Sequence, residues 1–235
     1  MQLFYNPDLD KDTQQITFNK LESRHIVKVL RKKEGDAVYI TNGKGSLFTS
    51  KINIASDKKC LVSIFKIEKK PISRNYRIHI AIAPTKNNER LEWFLEKATE
   101  IGIDEITPII TQNSERKVIK IERLEKIIQA AMKQSLKFHL PILNEAVPFE
   151  NFLNRKLDKN LCIAHCYDSG KKSMKELIAP KESITILIGP EGDFSKDELT
   201  LSLNAGCKAI SLGDARLRTE TAALVAVQNL AFINE

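Results

Sequence analysis

A chain of 235 residues that is 42% hydrophobic can bury one or two cores, and its four scattered cysteines (Cys60, Cys162, Cys166, Cys207) suit reduced cytoplasmic thiols rather than a disulfide framework. No apolar run approaches bilayer-spanning length, and Met1 to Pro7 lacks the basic start and long apolar core of a secretory signal, so a soluble cytoplasmic protein without a membrane partner is expected. The formal charge of +7 calls for an anionic partner, most simply nucleic acid.

Residues 1–70 hold fourteen Lys and Arg against eight Asp and Glu, so six of the seven excess charges lie in this third of the chain. Short alternating runs over 3–6, 37–43, 45–55 and 60–69 predict strands, with Asn42-Gly43-Lys44-Gly45 as a hairpin turn. Between the first two runs lies a helical pattern. Leu21, Ile26, Val29 and Leu30 form its apolar side, and Arg24, Lys28, Arg31, Lys32 and Lys33 fall along it and its exit. A small barrel carrying one helix is expected. Its basic residues suit RNA, because phosphate neutralisation dominates nucleic-acid affinity; a solvated helix face is the plain alternative.

At Lys69-Lys70-Pro71-Ile72-Ser73 the texture changes, and a proline after a charged strand end marks a boundary between a first domain over 1–70 and a second over 71–235. Beyond it strands and helices alternate. Residues 76–83 read as a strand, Asn88 to Ile101 as a helix with Leu91, Phe94, Leu95 and Ala98 on one face, 105–110 as a strand and Ile121 to Leu136 as a helix. "LCIAHC", "SITILIG" and "AISLG" follow as strands separated by helical segments. Such alternation predicts an α/β domain with a mainly parallel sheet and helices on both faces. The loop after "HIAIA", Pro84 to Asn88, has no glycine, which argues against a Rossmann dinucleotide site; P-loop and α/β-hydrolase motifs are missing as well. Cys162, His165 and Cys166 could suggest a metal, but one Cys-x3-Cys on an apolar strand is a poor zinc set, and no metal is expected.

The richest stretch is the last fifty-odd residues. Ile184 to Ile188 is a short, β-branched run apolar on both faces, as in a buried parallel strand, and it stops at Gly189-Pro190-Glu191-Gly192-Asp193-Phe194. Ser195 then serves as N-cap of a helix, with Asp197 and Glu198 in its first turn. The run Ala209 to Leu212 repeats the arrangement through Gly213-Asp214 and Ala215 to Arg218 before a helix opens at Thr219. Two such loops are expected side by side at the carboxyl ends of neighbouring strands, where open α/β sheets bind ligands. Their glycines allow close backbone approach, and the helix N-termini favour negative charge. Ordinary turn chemistry would explain either loop alone; Arg216, Arg218, Glu191 and Glu220 add more charge than a turn requires.

"LIGPEGDFSKDEL" followed by "SLGDARLRTETAALVAVQNL" resembles the RsmE family, the 16S ribosomal RNA uracil-N3 methyltransferases of the SPOUT superfamily. The resemblance extends through residues 86–111 and 131–143 and includes "HIVKVLRKKEGDAVYITNG", with His25, Leu30, Arg31, Gly35 and Asp36, so it spans essentially the whole chain. It implies a small N-terminal PUA-like β-barrel that binds RNA. It also implies a SPOUT-type domain whose C-terminal part is tied into a trefoil knot holding S-adenosylmethionine. Carried over residue by residue, the cofactor loops are Leu187, Ile188, Gly189, Pro190, Glu191 and Gly192, then Leu212, Gly213, Leu217, Arg218, Thr219 and Thr221. A homodimer is implied too. The last helix, 221–233, offers Ala222, Ala223, Val225, Ala226 and Leu230 for that purpose, or equally for packing on its own sheet.

The chemistry that this resemblance implies is in-line attack of uracil N3 on the sulfonium methyl, which asks the protein mainly to orient the reactants and take the N3 proton. N3 lies on the Watson–Crick edge, so a paired uridine must first be flipped out. Arg218 is the candidate for stabilising the uracil anion, and Glu191 and Glu220 are candidates for receiving the proton, Glu220 being equally suited to cap its helix. Arg24, His25, Lys28, Arg31, Lys32, Lys33, Lys86, Arg90 and Gln134 are the candidate RNA contacts, with a helix-surface ion pair as the alternative for Arg90 and for Glu100. The implied partner is small-subunit ribosomal RNA near the decoding site, on an assembled 30S particle. The chain departs from the family pattern at Lys133, Leu136 and Lys137, where many relatives have a Glu-Gln-Ser/Cys-x-Arg segment, at Arg216, where an apolar residue is usual, and at Asp193, where Gly is frequent. An RNA-binding assembly factor without chemistry is the rival reading; the intact Gly-Pro-Glu-Gly and Leu-Arg-Thr-Glu-Thr loops favour the enzyme.

Overall fold

The computed structural model describes residues 1–72, 74–155, 160–168 and 170–235; Ser73, at the expected boundary, lies outside them. The chain divides into two compact units, Met1–Ser73 with Met132–Leu140, and Arg74–Ala131 with Pro141–Glu235.

The first unit is built on a five-stranded sheet. Its order is β1 (Leu3–Tyr5), β3 (Ala37–Thr41), β4 (Ser46–Ile54), β5 (Leu61–Lys69) and β2 (Gln15–Thr17). β1 runs parallel to β3, and the other pairs are antiparallel. Register shifts at Thr49/Ser50 and Ile52/Ile54 bend the long β4–β5 ribbon. The expected barrel is therefore met as a curled sheet, edged by β1 and β2, around buried Phe4, Ile26, Val38, Ile40, Phe48 and Val62. The Asn42–Gly45 turn joins β3 to β4 as expected. Asn42 Oδ1 accepts from the Lys44 N–H at 2.9 Å, and Gly45, at φ +79°, leaves room for the His139 ring, which a Cβ would meet at 2.4 Å.

Helix α1 (Lys20–Arg24), capped by the Asn19 side chain, continues as a wider turn over His25–Val29, closed by Leu30 N–H to the His25 carbonyl at 2.9 Å. That turn carries an extra residue, so the 3.6-residue pattern slips. Ile26 is buried and Val27 and Leu30 pack on the core, whereas Leu21 and Val29, expected on the apolar side, are 80% and 66% exposed.

The second unit is an eight-stranded sheet in the order β11 (Lys172–Ser173), β13 (Lys208–Ser211), β10 (Asn160–Ala164), β12 (Ile184–Ile188), β6 (Ile78–Ile82), β7 (Glu105–Ile110) and β8 (Ile142–Leu143), with β9 (Val147–Pro148) pairing with the end of β7. All its pairs are parallel, as the alternating pattern predicted. β6 and β12 are buried throughout, because helices cover both faces. α4 (Phe149–Leu153) packs on β7 and on α6 (Lys196–Asn204), burying Phe149, Phe152 and Phe194 with Ala81, Ile163 and Leu187. α2 (Asn88–Ile101) packs on α7 (Thr219–Ile233), which covers β6 and β12 on the opposite face. α3 (Ile121–Gln134) and α5 (Met174–Leu177) complete the helices, the last three residues of α3 belonging to the first unit.

His79, the polar residue of β6, is satisfied by Thr185 Oγ1 on β12 at 3.2 Å and Thr107 Oγ1 on β7 at 2.8 Å. Asn144 adds bonds of 2.7 Å to Thr107 and to Glu105, so this buried polar row stays matched across three strands.

Phe194 stands directly after the loop that leaves β12 and is fully buried. Phe194→Ala is expected to lower the unfolding free energy by about 3–5 kcal/mol in urea denaturation, because the loop cannot collapse into the cavity left behind.

Candidate active site

Parallel strands deliver the segments that follow them to one edge of the sheet. β12 and β13 are not the neighbours expected, however: β10 lies between them. The residues after β10 therefore enter the site as a third wall. The resulting cleft, of about 960 Å³, is lined by Ile188 to Asp193 after β12, Ile210 to Thr219 along and after β13, His165, Cys166, Tyr167, Asp168 and Lys171 after β10, and Arg90 from α2.

The loop after β12 is a tight turn, closed by Asp193 N–H to the Pro190 carbonyl at 2.9 Å. Asp193, at φ +61°, ties it down. Its Oδ1 accepts from the Phe194 N–H at 2.8 Å and its Oδ2 from the Cys166 N–H at 2.7 Å, joining the β12 loop to the β10 loop. Asn113 Nδ2 donates to the carbonyls of Gly192 and Asp193 at 3.1 and 3.0 Å. Gly189 is closely packed: a Cβ there would stand 3.1 Å from the Phe194 ring, which would have to give way by a few tenths of an ångström. Ser195 caps α6 as expected, in a reciprocal pair with Glu198, whose other oxygen accepts from the Gln112 N–H at 2.7 Å.

After β13, Gly213 takes φ +124°, and Asp214 to Arg216 are exposed. α7 begins at Thr219 with Arg218 as N-cap and no side-chain cap, so Glu220 does not cap the helix. Glu220 is instead 7% exposed, with Oε1 3.8 Å from Arg90 Nε and Oε2 without a hydrogen-bond partner among the described residues. Arg90 Nη1 also lies 3.7 Å from Glu191 Oε1, which accepts from the Lys86 N–H at 3.1 Å. Arg90 thus stands between the two candidate carboxylates, in the cleft. The Lys86 ammonium pairs with Glu115 at 2.9 Å, which raises its pKa, while Glu100 makes the helix-surface ion pair with Lys97 at 3.0 Å.

Of the candidate cofactor residues, Leu187 packs in the core with Phe194, because strand alternation turns it from the cleft wall, and Thr221, a helical residue of α7, does not line the cleft. In the first unit, Arg24, Lys28, Arg31 and Lys33 are exposed and Lys32 is half-buried; Lys28 lies 4.0 Å from Asp57. His25, half-buried, packs edge-on against Phe4, with 6.0 Å between ring centroids. Gln134 is exposed at the end of α3, and Lys133 meets Glu22 at 3.3 Å.

His165 was missed as a site residue. The signal lies in "LCIAHCYD", a third apolar strand running into a polar turn, read above only as a buried strand without a metal. Its ring is 7% exposed, with neither nitrogen hydrogen-bonded among the described residues. Burial, and then the Lys171 charge, hold its pKa below the ordinary value, while Asp193 opposes them. Burial also pushes the thiols of Cys162 and Cys207 up to about 11 and about 12, so both stay protonated at neutral pH.

An RNA methyltransferase domain family matches residues 73–231, and an RNA methyltransferase PUA domain family matches residues 19–65. The ribosomal RNA small subunit methyltransferase E of Rickettsia conorii is 33% identical over 214 residues, which is 89% of this chain and 86% of that one. Among solved structures, the probable rRNA-methyltransferase from Porphyromonas gingivalis superposes with a TM-score of 0.92 at 41% identity, covering 100% of this chain and 98% of that chain. A Legionella pneumophila protein in complex with the bound cofactor SAM superposes with a TM-score of 0.88 at 28% identity, covering 99% and 97%.

His165 also gives the fold a pH dependence. Because folding depresses its pKa, the unfolded chain takes up the proton first; stability is full above about 6.5 and declines as pH falls from there toward the folded-state value. Urea denaturation at about pH 7.5 and about pH 5.5 is expected to show a smaller acid loss in His165→Phe than in the wild type, and equal losses would rule out the assignment.

Proposed function

The chain belongs to the ribosomal RNA small subunit methyltransferase E family of RNA methyltransferases, and from that premise we propose that it transfers a methyl group from S-adenosylmethionine to N3 of one uridine of 16S ribosomal RNA near the decoding site. The observation that carries this reading is the cleft itself. Three strand-end loops converge on it, with Arg90, Glu191 and Arg218 on its wall.

The lining fits the cofactor. Gly192 and Gly213 expose main chain and buried Gly189 borders the cleft, Ile188, Leu212 and Leu217 offer apolar contact to an adenine, and Asp168, Asp214 and Arg216 supply exposed charges for a zwitterionic arm. When bound, S-adenosylmethionine supplies the electrophilic methyl group. The protein's own residues then orient the uracil and manage its proton. Arg218 is exposed, and its side chain makes no hydrogen bond or ion pair among the described residues, which leaves its guanidinium free to stabilise the uracil oxygens as N3 loses its proton. Glu191, on the wall and anchored by the Lys86 N–H, receives that proton, whereas Glu220 is buried beside Arg90 and orients it.

The rest of the reading follows the family. Residues 1–70, joined by the segment around Gln134, form the PUA-like RNA-binding domain, and exposed Arg24, Lys28, Arg31 and Lys33 meet phosphates of an assembled 30S particle. Residues 71–235 form the SPOUT domain, with the trefoil knot that the family resemblance implies in its C-terminal part. α7 buries Ala223, Ala226 and Leu230 in its own unit, which leaves Ala222, Val225 and exposed Phe232 for a homodimer partner. No helix among the described residues is long and apolar enough to cross a membrane, in keeping with work in the cytoplasm.

The test is methyl transfer from labelled S-adenosylmethionine to purified small subunits lacking N3-methyluridine, with the product mapped by nucleoside analysis. N3-methyluridine is expected at a single site, and Arg218→Ala is expected to lower kcat by about 10²–10³-fold. Cofactor binding without transfer to subunits or naked RNA would overturn the substrate; no cofactor binding would overturn the enzyme.

A further inference from the structure

The peptide that joins His165 to Cys166 is held at both of its polar groups. The Cys166 N–H donates to Asp193 Oδ2 at 2.7 Å, and the His165 carbonyl accepts from Lys171 Nζ at 3.2 Å. The backbone is pinned, yet the ring it carries is buried without a hydrogen-bond partner at either nitrogen among the described residues. Tyr167 lies beside it, with ring centroids 6.0 Å apart, but that hydroxyl donates to the Phe194 carbonyl instead. Native interiors match nearly all buried polar groups, and an unmatched one stands out as a group with a task. This one lines the cleft.

We propose that His165 is a cofactor-contact residue, whose imidazole takes the neutral nucleoside part of S-adenosylmethionine through a ribose hydroxyl or the adenine edge, making in the complex the hydrogen bonds left unmade in the free protein. The inference rests on the functional reading above and names the deep wall of that same site. A neutral imidazole presents one donor and one acceptor, which suits a hydroxyl or an amino-bearing ring edge. The amino-acid arm would have to shed its water to reach this depth, and exposed Asp168, Asp214 and Arg216 already offer it ionic partners.

Isothermal titration of the full chain with S-adenosylhomocysteine and with 5′-methylthioadenosine, which keeps the nucleoside and lacks the amino-acid arm, tests this in wild type and His165→Phe, alongside the melting temperature of each free protein. Binding of both ligands is expected to weaken about 5- to 100-fold, with the free variant melting no lower than wild type, because a phenyl ring fills the space and removes two unmatched nitrogens. Unchanged affinity, with or without a lower melting temperature, would mark a structural histidine and overturn the inference alone. Weakening for S-adenosylhomocysteine only would move the contact to the amino-acid arm and overturn it as well. Wild type that binds neither ligand would overturn the functional reading together with this one. Should His165→Phe not fold, the same criteria apply to His165→Leu.

Discussion

β12 is paired along its whole length with β6 on one side and β10 on the other, in parallel, and both of its faces are buried. A strand in that position has no polar side to offer, so whatever chemistry its sequence carries must be gathered at its end. Apart from Thr185, whose hydroxyl is taken up by His79, Ile184 to Ile188 is apolar, and the loop polarity begins at Gly189 to Asp193. Because β10 and β13 run in the same direction, their ends arrive at the same edge. One sheet therefore supplies three walls of the cleft and holds their starting points rigid.

The walls are then fastened to each other by groups that water would otherwise solvate. Asp193 accepts main-chain hydrogen bonds from both its own loop and the β10 loop, and Asn113 holds the carbonyls beside it. A glycine at 193 would keep the turn and lose that strap, which gives this chain's departure from the family pattern a physical content. Arg90 is a different kind of link. At 3.7 and 3.8 Å from Glu191 and Glu220 its single positive charge is shared between two carboxylates without a hydrogen bond to either, so a substrate group can displace it at little cost in hydrogen bonds.

The first unit solves a different problem, with a thin core enclosed by a bent sheet. The β4–β5 register shifts bend the ribbon around it, and the wide turn over His25–Val29 keeps Ile26 inside while Arg24, Lys28, Arg31 and Lys33 remain in solvent. Lys133, where the family resemblance leads one to expect an acidic residue, pairs with Glu22. The altered segment is thereby accommodated by a local ion pair, and Gln134 stays exposed.

Local chemistry determined a great deal of this protein from its sequence alone. Unbroken apolar runs specified buried parallel strands, Ser195 with Glu198 specified a helix start, and Gly189-Pro190 and Gly213 specified the loops that line the cleft, because each depends on a few adjacent residues. The surplus of Lys and Arg before residue 70 was equally legible. Strand order was not. Nothing in the spacing of Ala209 to Leu212 says that β10 will come between it and β12, and so the wall that carries His165 went unseen. Helical phase failed at Val29 because one wide turn, over His25–Val29, shifts the residues from there on. The partners of Arg90, Asp193 and Glu220 lie between 27 and 130 positions away in the chain, and only the packing of the sheet brings those groups together.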